Sequence, residues 1–213
     1  MRFERKYYIQ GLTLAEVTLM LRFHPASFRT LHPDRQVNNV YFDSTTLSTF
    51  HQNIEGVNQR HKYRLRWYGE EVDQIADANF EIKIKHNELG SKKVIPLLED
   101  RVYTLANLPE LTHRINRLPH VPFHLQPVLL NSYKRSYYTS MDGVFRVTID
   151  HDLRYHSLLL GPSFTRYSVK DSAIVLEIKY EEEEDNKANL ITRHLPLRQG
   201  KHSKYVKGVQ MTM

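Results

Sequence analysis

Lys-Tyr-Arg-Leu-Arg-Trp-Tyr, residues 62–68, is the stretch that decides the fold of this chain. At the two-residue period of a β-strand, it places its three basic residues on one face and Tyr63, Leu65 and Trp67 on the other. One face is therefore cationic and the other is apolar. On its own, this pattern is typical of a surface strand whose charged face meets water. The pattern recurs along the chain, however, and the recurrence changes what it predicts.

Three other segments alternate in the same way, at residues 80–85, 145–150 and 176–180. If these strands share one sheet whose apolar face is covered by helices, their Arg, Lys and Glu side chains collect on the other face. If that sheet closes, the charged side chains line a lumen. Like charges crowded together at low dielectric repel each other unless a polyanion or a metal compensates them. The recurrent pattern therefore predicts a polyanionic ligand.

Composition indicates a globular protein with an anionic partner. The chain has 213 residues, 25% of them charged and 40% hydrophobic, which predicts a single domain over residues 1–213 with one core. The formal net charge of +6 favours an anionic partner. The lack of cysteine excludes disulfides, thiolate metal sites and a cysteine nucleophile. The N-terminus is charged and no apolar stretch approaches the roughly 18 residues of a membrane span, so we expect a soluble cytoplasmic protein without direct membrane insertion.

Periodicity and turn residues predict an ordered series of strands and helices. The predicted strands cover residues 2–9, 38–43, 60–68, 80–85, 91–97, 128–139, 144–150 and 174–180. The predicted helices cover residues 13–22, 44–51, 99–107, 109–118 and 186–195, with a terminal helical piece capped by Ser203. Thr13 and Glu16 form a capping box at the first helix, and Asp142-Gly143 predicts a hairpin. Residues 24–36 are expected to be loop or short extended structure, and residues 161–163 a loop.

Eight short motifs carry a family resemblance. In chain order they are ERKY (4–7), VYFDS (40–44), KYRLR (62–66), EIK (81–83), YKR (133–135), FRVTID (145–150), VLEIK (175–179) and SKY (203–205). This ordered set resembles the triphosphate tunnel metalloenzymes and, among them, the VTC (vacuolar transporter chaperone) polyphosphate polymerase domain. The resemblance implies an α+β fold, in which a closed eight-stranded antiparallel β-barrel, the triphosphate tunnel, has helices packed on its outside.

The resemblance also implies which side chains hold the ligand. The basic residues that match the family's phosphate ligands at the catalytic centre are Lys6, Arg64, Arg66, Lys83, Arg135 and Arg146. Glu177 matches the carboxylate that holds a divalent metal ion, Mn²⁺ or Mg²⁺. The further substrate-binding residues are Lys92, Lys179, Lys204 and Tyr41. Lys92 is preferred to Lys93 because alternation points it inward if Ile95 and Leu97 face outward.

The leading hypothesis is a metal-dependent polyphosphate polymerase that transfers the γ-phosphate of ATP to a growing polyphosphate chain. Phosphoryl transfer mainly needs positioning and charge stabilisation, which a mixed Arg and Lys lining supplies. The related CYTH-type hydrolases begin with two glutamates and a lysine at alternate positions, where this chain has Arg2, Glu4 and Lys6. One carboxylate is missing from that pattern, which favours a polymerase over a hydrolase.

Other interpretations stay open on the sequence alone. An inorganic triphosphatase would use the same tunnel with metal-activated water, and a non-catalytic polyphosphate or polyanion binder would explain the basic charge equally well. Glu177 is also compatible with ordinary polar patterning on a strand, and Tyr41 with core packing. Nucleic acid is not expected, because the basic residues alternate with core aromatics instead of sharing an exposed face with stacking rings. The expected ligands are ATP and inorganic polyphosphate or triphosphate, and partner subunits stay open.

Overall fold

The structure, a computed structural model, describes residues 2–86, 89–97, 101–159 and 168–213, without the side chains of Arg2 and Leu89. The loop predicted at residues 161–163 lies outside the described residues. The chain folds into two compact units. Unit 1 comprises Met1–Arg35, Tyr133–Leu153 and Asp171–His202, and unit 2 comprises Gln36–Ser132, Arg154–Lys170 and Ser203–Met213.

The described ranges contain nine strands and five α-helices. The strands are β1 (Arg2–Ile9), β2 (Arg29–Asp43), β3 (Gln59–Tyr68), β4 (Asn79–His86), β5 (Leu89–Pro96), β6 (Gln126–Thr139), β7 (Arg146–Ser157), β8 (Ser168–Asp171) and β9 (Ile174–Glu181). The helices are α1 (Leu14–Arg22), α2 (Ser48–Glu55), α3 (Leu108–Asn116), α4 (Asp185–Thr192) and α5 (Lys204–Thr212), with 3₁₀ turns at Leu105–Asn107 and Glu182–Glu184. No helix within these ranges is both long enough and apolar enough to cross a membrane.

Unit 2 is built on β3, which pairs antiparallel with β2 on one side and β4 on the other, while β4 also pairs with β5. Tyr63, Leu65 and Trp67 of β3 are at most 2% exposed, so the alternation predicted for residues 62–68 is confirmed. These side chains belong to an apolar cluster that also contains buried residues of β2, β4 and α3. The basic side chains of the same stretch consequently lie on the opposite face of the strand.

Unit 1 is built on β9, which lies between β1 and β7 and is antiparallel to both. Val147 and Ile149 of β7 and Leu176 of β9 are fully buried in a second apolar cluster, to which α1 and α4 contribute. On the other face, the register places Glu177 of β9 opposite Lys6 on one side and opposite Thr148 on the other. The polar face of this unit therefore draws on three adjacent strands.

The predicted combination of mostly antiparallel strands with helices is confirmed. The capping box is confirmed too, because Glu16 N donates to Thr13 Oγ1 at 3.3 Å and Thr13 N donates to Glu16 Oε2 at 2.7 Å. The closure of the strands into an eight-stranded barrel and the single domain over residues 1–213 stay predictions. The expectation of one core is wrong for the described residues, because their buried apolar side chains form two clusters, one in each unit.

Several element boundaries differ from the predicted ones. β2 begins at Arg29 within the predicted loop, and its residues 29–35 are exposed, so no apolar alternation marks them. The helix predicted at residues 99–107 is a 3₁₀ turn at Leu105–Asn107, with residues 99–100 outside the described ranges. The short strand β8 was not predicted. In each case the segment lacks a hydrophobic period long enough to indicate its structure.

The helix predicted at residues 44–51 is displaced along the chain, since α2 begins at Ser48 and ends at Glu55. The carboxylate of Asp43 accepts hydrogen bonds from Thr49 N and Phe50 N, both at 2.9 Å. A side chain at the end of β2 thus satisfies backbone donors in the first turn of α2. Ser44 Oγ also accepts a hydrogen bond from Ser48 N at 3.0 Å, so the serine predicted as a cap contacts the first residue of a helix that begins later than predicted.

Gly208 in α5 is packed so closely that it tolerates no side chain. A methyl group there would overlap the buried side chains of Leu129 and Tyr155. We expect Gly208→Ala to lower the free energy of unfolding by about 1–3 kcal/mol, because overpacking forces the neighbours to shift. Urea unfolding followed by tryptophan fluorescence measures the change. Gly200→Ala, at a position with open space, is the control, and equal stabilities for the two variants would contradict the prediction.

Candidate functional site

The polar face of unit 1 carries a closed ring of ion pairs between β1 and β9. Lys6 Nζ lies 3.4 Å from Glu4 Oε2 and 3.1 Å from Glu177 Oε1. Lys179 Nζ lies 3.4 Å from Glu4 Oε1 and 3.2 Å from Glu177 Oε2. The antiparallel register produces the ring, since Glu4 lies opposite Lys179 and Lys6 lies opposite Glu177. Each carboxylate oxygen therefore has an ammonium group beside it.

The ring keeps Lys6 charged. Burial alone would lower the pKa of Lys6, but the carboxylates of Glu177 and Glu4 outweigh burial and raise that pKa above its ordinary value. Lys6 is therefore a cation throughout the physiological pH range. Lys6 therefore already carries its positive charge when a polyanion binds to this face, and binding requires no proton uptake by Lys6.

A buried arginine–carboxylate pair lies on the next strands of unit 1. Arg135 of β6 donates from Nε and Nη2 to the two oxygens of Asp150 in β7, at 2.5 and 2.7 Å. Although burial would lower the pKa of Arg135, the Asp150 carboxylate raises it. The guanidinium carbon also lies 5.3 Å from the centroid of the Tyr133 ring. The planar fork of Arg135 is therefore held in one orientation.

β7 adds two more side chains to this face. Arg146 is exposed and lies opposite Lys179, whereas Thr148 is buried and lies opposite Glu177. Arg135 is also attracted electrostatically to Glu177. Glu177 is thus the acidic centre of a basic neighbourhood. The predicted site residues that unit 1 contains are Lys6, Arg135, Arg146, Glu177 and Lys179.

In unit 2, one buried carboxylate organises the basic residues. Arg64 donates from Nε and Nη2 to Glu81 Oε2, at 2.5 Å in each case, and Lys92 Nζ lies 2.9 Å from Glu81 Oε1. Burial would raise the pKa of Glu81, but Arg64, Arg66 and Lys92 lower it to about 2. Arg66 is itself buried and donates from Nε to Asn39 Oδ1 at 2.8 Å. Glu81 therefore stays ionised and orients Arg64 and Lys92.

Three lysines stand side by side on neighbouring strands of unit 2. Lys83 of β4 lies opposite Lys62 of β3 and opposite Lys92 of β5. Like charges that face each other across strands destabilise a sheet, so this row favours an anionic partner. Lys62 Nζ donates to Ser203 Oγ at 2.7 Å, and Lys92 reaches Glu81. The three lysines therefore form a positively charged surface to which an anion can bind.

The remaining predicted residues of unit 2 lie at α5 and β2. Tyr41 lies opposite Arg64, but it is only 4% exposed and its ring stacks on Tyr205, with centroids 5.2 Å apart. Tyr205 donates to Asp43 Oδ2 at 2.6 Å. Lys204 is buried in the first turn of α5. The ring of Tyr41 thus packs on Tyr205 beside the charged face, and its role in binding substrate stays a prediction. The carboxylate of Asp43 accepts hydrogen bonds from α2 and α5.

The register separates the two candidate lysines of β5. Lys92 lies opposite Lys83 on the charged face, and Lys93 lies opposite Ile82 of the apolar cluster. Both Lys92 and Lys93 are exposed. The predicted residues that unit 2 contains are Arg64, Arg66, Lys83, Lys92, Lys204 and Tyr41.

The acidic residues of unit 1 are chemically suited to a divalent metal ion. Among the described residues, no three histidine or acidic side chains converge into a metal site. Glu4 and Glu177 nevertheless bracket the same two lysines, which places two carboxylates on one face. Mg²⁺ is commonly held by one or two carboxylates together with substrate phosphates and water. The donor set therefore fits a metal ion whose coordination is completed by a phosphate substrate.

Several charged or polar residues of these faces were predicted to lie there but were not predicted as site residues. They are Glu4, Asn39, Lys62, Glu81 and Asp150. All of them lie in phase with a predicted site residue on the same strand, so the two-residue period gave their face. Their partners depend on pairing between strands, which the period of one strand does not give.

Comparison with known proteins supports this fold over the whole chain. The model of the VTC domain family matches residues 1–213. None of the curated proteins matches the chain. A solved structure from Vibrio parahaemolyticus, provisionally named an adenylate cyclase, superposes with a TM-score of 0.54 at 11% identity over 95% of each chain. A protein of Pyrococcus horikoshii OT3 superposes with a TM-score of 0.50 at 13% identity, over 97% of this chain and 94% of its own. At such identities the likeness concerns the fold.

Acid should destabilise the protein partly through Glu81. The folded-state pKa of Glu81 is about 2, against 4.5 for the free side chain. Its contribution to stability is therefore complete above about pH 4.5 and is lost as the pH falls toward 2. That contribution is about 3 kcal/mol. Urea unfolding across this pH window should show a steeper loss of unfolding free energy for the wild type than for Glu81→Gln.

Glu110→Gln is the matched control for this measurement. Glu110 is an exposed carboxylate whose ion pair with Arg101, at 3.4 Å, contributes little to stability. Its pH curve should follow that of the wild type. Parallel curves for the wild type and Glu81→Gln would contradict the assignment of Glu81.

Proposed function

This chain belongs to the VTC domain family, and from that premise we propose that it is a metal-dependent polyphosphate polymerase. It would transfer the γ-phosphate of ATP to the end of a growing polyphosphate chain. The residues proposed to bind the phosphates are Lys6, Arg64, Arg66, Lys83, Arg135 and Arg146, with Lys92, Lys179, Lys204 and Tyr41 as further substrate contacts. The closed eight-stranded barrel, a single domain over residues 1–213 and a cytoplasmic location belong to the same proposal.

The observation that supports this function best is a set of basic side chains that buried carboxylates hold in place. Lys6 beside Glu177 and Arg64 beside Glu81 show the arrangement in each unit. Arg supplies planar forks for phosphate oxygens and Lys supplies point charges. Cations on alternate residues of adjacent strands suit a ligand that repeats its negative charge along its length, as polyphosphate does.

The proposed reaction needs no side-chain nucleophile. A terminal phosphate oxygen of the chain attacks the γ-phosphorus of ATP and forms a new P–O bond. The bond between the γ-phosphorus and the β–γ bridging oxygen breaks, and ADP leaves with the electron pair. The protein acts by positioning the two phosphates and stabilising the negative charge spread over the transferred group.

Glu177 and Glu4 are proposed to hold the divalent cation. When bound, Mg²⁺ or Mn²⁺ would supply positive charge that offsets the charge developing on the phosphate oxygens. Lys6 and Lys179 are the present partners of both carboxylates. These two lysines would then bind phosphate oxygens in place of the carboxylates.

An inorganic triphosphatase is the second candidate. The observation that favours it is the placement of Glu4 and Glu177 on one face, which is a carboxylate pair of the kind that serves metal-assisted hydrolysis. Water would then replace the chain end as the attacking group. Phosphate would be released without chain growth.

Incubation of the purified protein with ATP and Mn²⁺, with and without a short polyphosphate primer, separates these functions. Gel electrophoresis measures chain length, and a colorimetric assay measures free phosphate. We expect long chains from the wild type and none from Glu177→Gln, because the variant loses the proposed metal carboxylate.

Glu110→Gln, at an exposed position, should make chains as the wild type does. Release of phosphate without chain growth would show that the protein is a triphosphatase and not a polymerase. Neither product, together with tight binding of polyphosphate, would identify a non-catalytic polyanion binder.

Binding of polyphosphate should depend on the arginines of β3. We expect Arg64→Ala/Arg66→Ala to abolish polyphosphate binding measured by calorimetry, because the variant loses both guanidinium groups of this face. Circular dichroism and thermal unfolding test whether the variant is folded. Arg101→Ala/Arg117→Ala removes the same charge from exposed positions and should bind normally. Unchanged binding by a folded Arg64→Ala/Arg66→Ala variant would show that these two residues do not belong to the binding site.

A further inference from the structure

Thr148 of β7 is a buried residue whose hydroxyl is not hydrogen-bonded within the described part of the chain. The residue is 9% exposed, and its Oγ1 atom is buried without a hydrogen-bond partner among the described residues. Buried polar groups are almost always hydrogen-bonded, and an unsatisfied one costs free energy. A buried hydroxyl in this state is suited to a partner that arrives from outside the chain.

The strand period determines which face Thr148 occupies. Its neighbours Val147 and Ile149 are fully buried in the apolar cluster of unit 1. Thr148 therefore lies on the opposite face, where the register places it across from Glu177. Glu177 does not need the hydroxyl, because its two oxygens lie 3.1 and 3.2 Å from the ammonium groups of Lys6 and Lys179. The Thr148 hydroxyl therefore takes no part in the ring of ion pairs.

The surroundings of Thr148 indicate the charge of the missing partner. The cations on this face of unit 1 are Lys6, Arg135, Arg146 and Lys179, against the carboxylates Glu4, Asp150 and Glu177. A cationic neighbourhood favours an oxygen that carries negative charge, and a hydroxyl can donate to such an oxygen. Carboxylates of the chain itself are already engaged by the basic side chains.

We propose that Thr148 is a substrate-positioning residue that donates a hydrogen bond from Oγ1 to a phosphate oxygen of triphosphate or polyphosphate. This inference rests on the proposed function and adds a neutral, directional contact to a face that otherwise binds by charge. A rotatable lysine holds a phosphate group loosely, whereas a hydroxyl on a buried strand holds it in one place. Thr148 thereby fixes the position of one phosphate beside Glu177.

Isothermal titration of tripolyphosphate into three variants tests the inference. Thr148→Val keeps the shape of the side chain and removes the hydroxyl, Thr148→Ala removes it without any risk of overpacking, and Thr148→Ser keeps it. We expect tripolyphosphate to bind about tenfold more weakly to the valine and alanine variants and at nearly wild-type strength to the serine variant. The loss should persist at high salt, because a neutral donor is not screened as a charge is.

Thermal unfolding separates binding from structure. Thr148→Val should be as stable as the wild type or more stable, since it removes an unsatisfied buried hydroxyl. Thr112→Val is the control, because Thr112 Oγ1 donates to Leu108 O within α3 of unit 2 at 2.7 Å, and its removal should not change tripolyphosphate affinity.

The outcomes distinguish this inference from the function on which it rests. Wild-type affinity in the folded valine and alanine variants would overturn the role of Thr148 while leaving the phosphate site in place. Equal weakening in the serine variant would also overturn it, because the hydroxyl would then not be the cause. Failure of the wild type itself to bind tripolyphosphate would overturn the proposed function and this inference together.

Discussion

The pairing of charges that have left water is the constraint on which this structure depends. A desolvated cation or carboxylate is costly unless a partner of opposite charge compensates it. Arg135 meets this requirement through two hydrogen bonds to Asp150, and Arg64 through Glu81. Removing one partner would leave an uncompensated buried charge. The contacts that stabilise each unit therefore also set the direction in which its basic side chains point.

The two units balance their charges differently. In unit 1, Lys6 and Lys179 share two carboxylates, so the ring is neutral before any ligand arrives. In unit 2, the carboxylate of Glu81 lies among three basic side chains, those of Arg64, Arg66 and Lys92. An excess of positive charge attracts a polyanion, whereas a carboxylate pair suits a metal-bound phosphate.

Cations that are paired in advance also suit the proposed chemistry. Phosphoryl transfer gains most from charges whose positions are set before the substrate binds, because little reorganisation is then needed. The Arg135 fork, clamped by Asp150 and placed over Tyr133, has this property. Thr148 adds a contact of another kind, since a neutral hydroxyl contributes direction where the surrounding charges contribute attraction.

The sequence by itself determined which side chains share a face. Alternation along residues 62–68 separates Arg64 and Arg66 from Leu65 and Trp67 whatever else the chain does, because a strand has a period of two. The same local signal places Glu81 and Asp150 on the charged faces of their strands. Elements without a hydrophobic period, such as the exposed start of β2 at Arg29, could not be recognised.

Only the tertiary structure decided which carboxylate meets which cation. Lys6 lies opposite Glu177, and Glu81 opposite Arg64, because of a strand register that no single segment encodes. Register follows from burying the apolar faces of several strands at once, and a slip of one residue would turn every side chain over. The tertiary structure also decided that the hydroxyl of Thr148 has no hydrogen-bond partner among the described residues. Glu177, which lies opposite, forms ion pairs with Lys6 and Lys179 instead.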